Sequence, residues 1–113
     1  MQIAKSVNVL GTEYKVLYKE SKEDSILDDK YAYCNFLKKE IVIRTNLDEL
    51  TEEEMQIRNK RTLRHELLHA YLYESGLDLE SEWARNEEMI DYFSIQFEKI
   101  YKTYGQVGVL EEK

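Results

Sequence analysis

Residues 51–76 read TEEEMQIRNKRTLRHELLHAYLYESG, and this stretch decides the fold. Thr51 with Glu54 three residues on is a capping box, and Glu52, Glu53 and Glu54 suit the positive end of a helix dipole. The spacing predicts one long helix over about 52–75, with Gly76 just past its end. A short loop through Asp78 and Ser81 then leads to a second helix over about 82–104, closed by Gly105.

Inside the first helix, residues 65–69 read His-Glu-Leu-Leu-His and hold the only two histidines of the chain. Positions i and i+4 share a helix face, so both imidazoles can reach one metal ion. Glu66 would stand beside that ion and can serve as a general base toward a metal-bound water. A catalytic zinc needs a third protein ligand and keeps its fourth position for water. With no third histidine, that ligand has to be a carboxylate, and the second helix offers Glu87 and Glu88.

Helix geometry chooses between them. From His69 to Ser75 the first helix rises about 9 Å, and from Glu82 to Glu87 the second descends about 7.5 Å. Antiparallel packing therefore brings Glu87 level with His69, and Asp91, one turn on, level with His65. Asp91 can accept a hydrogen bond from the far nitrogen of that imidazole and fix its orientation. At about 100° per residue, Trp83, Ile90, Phe93, Phe97, Ile100 and Tyr101 form an apolar stripe with Glu87 and Asp91 along one edge. Glu88 faces away from it, among Tyr92, Lys99 and Lys102.

The first third of the chain alternates instead. Ile3, Val7 and Val9, then Gly11-Thr12, then Tyr14, Val16 and Tyr18 fit two half-buried strands joined by a tight turn. Residues 19–30 are polar and read as an exposed loop. Tyr31 to Phe36 and Glu40 to Arg44 form a second strand pair around Lys38-Lys39. Strands over about 3–45 followed by two long helices predict a single α+β domain spanning residues 1–113. The tail ending Glu-Glu-Lys reads as loose.

Composition narrows the function classes. Of 113 residues, 23 are acidic and 16 basic, a formal charge of −7, which argues against a nucleic-acid surface. No apolar run approaches the roughly 20 residues of a membrane span, and the amino terminus lacks signal-peptide features. Cys34 is the only cysteine, so no internal disulfide forms; it reads as a small core residue, and the cytoplasm is the expected compartment.

The two motifs together resemble the gluzincin metallopeptidases, whose His-Glu-x-x-His is followed later by a glutamate ligand. Thermolysin-like enzymes carry Asn-Glu-x-x-x-Asp at the second motif, where this chain has Asn86-Glu87-Glu88-Met89-Ile90-Asp91. Over roughly residues 7–100 the chain also resembles small metallopeptidase-like proteins of phages and mobile elements grouped with the ImmA/IrrE family. The shared features are Arg64 to Ala70, Glu74 to Leu77 and Asn86 to Met89. The resemblance implies a minimal zincin-like domain with one zinc held by His65, His69 and Glu87, supported by Asp91. It further implies a peptidase, in the setting of a phage or mobile-element regulator.

On that reading Glu66 moves the proton of the attacking water, and a neutral donor is wanted for the tetrahedral intermediate. Tyr33, Tyr71 and Tyr73 are the candidates. The strand Glu40 to Arg44 is either an edge strand that receives an extended peptide, as in zincin folds, or an internal strand. Arg64 reads as a solvated helix arginine rather than a substrate contact. Zinc over manganese, cobalt or iron is an inference from ligand type, which affinity order alone does not settle. Three function classes remain: a zinc endopeptidase of narrow protein range, a hydrolase of small peptides or other amides, and a metal-binding interaction module that acts on a partner such as a repressor.

Overall fold

The computed structural model describes residues 6–47 and 49–111. Its strands are β1 (Ser6–Val9), β2 (Thr12–Lys19), β3 (Ala32–Asn35) and β4 (Glu40–Arg44), followed by the helices α1 (Glu52–Glu74) and α2 (Glu87–Gln106). The four strands form one mixed sheet in the order β1-β2-β4-β3. β1 with β2 and β3 with β4 are antiparallel, whereas β2 and β4 run parallel. The architecture is α+β, with two helices following the sheet. Ile3, expected in the first strand, and the terminal Glu112-Lys113 lie outside the described residues.

α1 is anchored on the sheet by Leu63, Leu67 and Ala70, one helix face at spacings of four and three residues. They meet Val9, Tyr14, Val16, Ile41 and Ile43, with Val7, Ala32 and Cys34 at the margin. Cys34 is thus a partly buried flank of the core, and burial pushes its thiol up to about 12. At the helix start, Glu54 N donates to Thr51 Oγ1 at 3.1 Å and Thr51 N donates to Glu54 Oε1 at 2.8 Å, so both halves of the capping box form. At its end Gly76 takes φ 86°, a left-handed conformation open to glycine at little cost.

Several sequence expectations are corrected. Glu40 to Arg44 is internal: β4 lies between β2 and β3, and Ile41, Val42 and Ile43 are all buried in succession. Both faces of this strand are covered, so the edge role falls to β3. The first turn is centred on Leu10-Gly11, both at positive φ (50° and 93°), and Thr12 already belongs to β2. Residues 19–30 are not wholly exposed. Asp24 caps a 3-10 turn over Ser25–Asp29, Arg44 Nη1 donates to Leu27 O at 3.0 Å, and Leu27 is fully buried.

The second helix begins at Glu87 rather than near 82. Asn86 is extended and its side chain accepts from Met89 N at 2.7 Å, which makes it the cap. The preceding residues form short 3-10 turns, Leu77–Leu79 and Trp83–Arg85, and Arg85 Nη1 donates to Asp78 O across the linker. Gly105 lies inside α2, which runs to Gln106, and Gly108 at φ 73° follows its end. The apolar stripe is also only partly covered. Ile90 is fully buried, whereas Trp83, Phe97 and Tyr101 are about half exposed or more.

Candidate metal centre

The three faces of α1 do different work. One rests on the sheet, one meets α2, and the third carries His65, Glu66 and His69. α2 starts beside that third face, so Glu87, in its first turn, closes on both histidines. His65 Nε2 lies 3.1 Å from Glu87 Oε1, His69 Nε2 lies 3.2 Å from Glu87 Oε2, and the two Nε2 atoms are 3.2 Å apart. These residues form a group able to hold a metal ion. Glu88 is exposed and takes no part in it.

The donor set fits a metal ion for two reasons. A tetrahedral zinc with bonds of about 2.0–2.2 Å puts its ligands about 3.3–3.5 Å apart, close to the observed spacing. The hydrogen-bond chemistry points the same way. His65 Nδ1 lies 2.8 Å from Asp91 Oδ1, and a carboxylate only accepts, so this nitrogen carries the proton. In the neutral ring Nε2 then presents a lone pair toward Glu87, an acceptor facing an acceptor. A cation between them resolves that conflict. His69, shifted below the ordinary imidazole range chiefly by burial, is likewise suited to be a neutral ligand.

Glu66 is buried, with 8% of its surface exposed. Burial pushes its carboxyl up to about 7, with Glu87 acting in the same direction and His65 and Lys30 opposing. Two cavities, of about 350 and 290 Å³, share Ala32, His65 and Glu66 and so form one cleft across this site. β3 lines one side of it and α2 the other. One arm ends among Tyr31, Arg58, Arg61 and Thr62, the other among Lys30, Tyr33, Cys34 and Phe36.

None of the three tyrosines presents an unengaged hydroxyl to the metal group. Tyr33 lines the cleft, but its hydroxyl donates to Asp24, and it is raised to about 12 by burial and that bond. Tyr73 is stacked on Phe36 at 4.3 Å with Lys39 over its ring. Tyr71 points into an apolar groove on another face of α1, with Leu68, Trp83 and Phe97. Arg64 is neither free in solvent nor in the cleft: its Nε donates to Ser94 O at 2.6 Å and ties α1 to α2.

Sequence reasoning passed over Arg58, Arg61 and Lys30. The two arginines were detectable, since positions 58 and 61 precede His65 by seven and four residues and so share its face. Lys30 comes from a turn whose placement depends on Leu27 and Arg44, and no local pattern announces it. Among the described residues no helix is long and apolar enough to cross a membrane. Compared with known proteins, the chain matches no family model, no curated protein and no solved structure.

Proposed function

We propose that this chain is a zinc-dependent peptidase of the gluzincin kind, with a narrow range of protein substrates. The observation that carries the reading is the convergence of His65 Nε2, His69 Nε2 and a Glu87 carboxylate oxygen within 3.3 Å of one another, beside the buried Glu66. Two histidines and one carboxylate leave a fourth position for water, the pattern of catalytic rather than structural zinc. When bound, zinc supplies a water of lowered pKa and polarises the scissile carbonyl.

The chain's own residues do the rest. Glu66, buried beside the metal position, accepts the proton of the attacking water and delivers it to the leaving amine. Asp91 holds the His65 ring with its lone pair toward the metal position. Among the described residues, β3 is an edge strand beside the cleft, with an unpaired side onto which an extended substrate can add as a further strand. The short cleft walls leave little room for broad selectivity. The resemblance to ImmA/IrrE-type proteins leads us to place the substrate among regulators of a phage or mobile element, in the reducing cytoplasm that a lone cysteine suits.

A second reading is favoured by the placement of Tyr33, Tyr71 and Tyr73, none of which turns a free hydroxyl to the metal group: a zincin-like module that keeps the metal but acts by binding a partner such as a repressor. Glu66→Gln separates the two. With zinc retained by elemental analysis, cleavage by the variant should fall by about 10²–10⁴-fold against wild type in a proteome-wide search for new peptide termini. Zinc bound at one per chain with no wild-type cleavage would leave the binding module.

A further inference from the structure

We infer that the Arg58–Arg61 arm of the cleft is a carboxylate-binding subsite, so that the peptidase prefers a substrate acidic two or three residues from the bond it cuts. This inference rests on the peptidase reading and specifies its substrate class.

The chain has five arginines. Arg44, Arg64 and Arg85 each donate to a backbone carbonyl and serve the fold. Among the described residues, Arg58 and Arg61 have neither a carbonyl nor a carboxylate partner, although the protein carries a net charge of −7. Both line the cavity that holds His65 and Glu66. The other carboxylate of that cavity, Asp91, is engaged by His65 Nδ1. Among the described residues, two guanidiniums therefore line the cleft without a counter-ion.

Their placement is ordered. The Arg58 guanidinium is stacked 4.1 Å over the Tyr31 ring. Stacking fixes the plane of the fork and leaves its N–H edge for a carboxylate. Arg61 stands one helix turn nearer the metal group. Along α1, Arg61 and Arg58 are about 6 and 10 Å from His65. An extended peptide on β3 advances about 3.4 Å per residue, so these distances correspond to two or three residues from the scissile bond. The carboxylate can belong to an aspartate or glutamate side chain, or to a substrate's own carboxyl terminus.

The test uses peptide hydroxamates on the zinc-loaded protein, in two series that extend from either side of the metal-binding group. Each carries Glu, Gln or Lys two or three residues away, and the carboxyl terminus is free or amidated. Kd is read by calorimetry. In one series the Glu probe should bind about tenfold tighter than Gln, Lys weakest, with the preference shrinking at high salt as exposed charges are screened. The preference should vanish in Arg58→Gln/Arg61→Gln, while the Gln probe binds that variant as it binds wild type. Arg61→Gln alone, at an exposed position clear of the Tyr31 stack, should lose part of it without disturbing the fold.

A preference that survives only with a free carboxyl terminus keeps the subsite and assigns it to chain ends. Equal Kd for Glu and Gln in both series overturns the inference and leaves the metal centre standing. Failure of every hydroxamate to bind overturns the metal centre and the subsite together.

Discussion

Two glutamates near the facing ends of the helices, Glu74 closing α1 and Glu87 opening α2, each gather side chains from other parts of the fold. Glu74 receives three donors: Tyr14 Oη at 2.6 Å, Lys39 Nζ at 2.7 Å and Thr12 Oγ1 at 3.0 Å. Its charge is neutralised and its side chain is only 12% exposed. Glu87 is 64% exposed and faces two imidazole nitrogens, one of which is an acceptor whenever its ring is neutral. The first cluster is complete with protein atoms alone and joins α1 to the β1–β2 end of the sheet. The second leaves an acceptor facing an acceptor when the His65 ring is neutral, a gap that a cation would fill. That difference separates a structural polar cluster from a ligand site better than residue type does.

Removing each glutamate in turn should have opposite consequences. Glu87→Ala should leave the purified protein without its metal after dialysis, whereas Glu74→Ala should keep about one ion per chain and unfold at lower temperature. Elemental analysis beside a melting curve reads both. Metal loss in Glu88→Ala instead would mean that the register of α2 on α1 is wrong.

A smaller effect is expected at Asp91, which touches the His65 ring rather than the metal position. Asp91→Asn should weaken metal affinity by about 10- to 100-fold in a chelator competition, because the His65 tautomer is no longer enforced. Unchanged affinity would show that Asp91 does not orient the ligand. On the structural side, Tyr14→Phe should cost about 1–2 kcal/mol in chemical denaturation and leave metal affinity alone, since it removes one donor to a carboxylate that keeps two others.

The smallest effects, in pH dependence, should have opposite signs. Lys39 and then Tyr14 hold the Glu74 carboxyl below the ordinary carboxylate range. Its contribution is present above that range and is lost as pH falls through the lowered folded-state value. Glu66 is raised to about 7 by burial. In the metal-free protein its ionisation therefore costs stability as pH rises from the ordinary carboxylate range toward 7. Melting temperature against pH should show that decline in the metal-free wild type and a flatter profile in Glu66→Gln. The same slope in both would locate the titration elsewhere.

Much of the site was legible because its spacing is helical. His65, Glu66 and His69 sit within one turn, and Glu87 with Asp91 repeat the same four-residue step, so the faces follow from helix geometry alone. The register estimate reached Glu87 even though it started α2 too early. The linker's 3-10 turns span the stretch assigned to helix, and Asn86 followed by two glutamates was a cap signature read as helix interior. The tyrosines were not legible. What a phenol does depends on partners such as Asp24 and Phe36, whose proximity is a tertiary fact. Leu27 likewise looked like part of a polar loop because a single buried residue has no period.

By itself, then, the sequence determined the α+β class, the capped start of α1 and the pairing of two histidines with one glutamate, all consequences of local propensity and helical spacing. Tertiary structure alone decided that β4 is internal and β3 the edge beside the cleft, that Tyr33, Tyr71 and Tyr73 are drawn away from the metal group, and that, among the described residues, Arg58 and Arg61 line the cleft without counter-ions. Strand order and side-chain partners depend on contacts between residues distant in the chain, and these are set by burial of a shared core rather than by any local pattern.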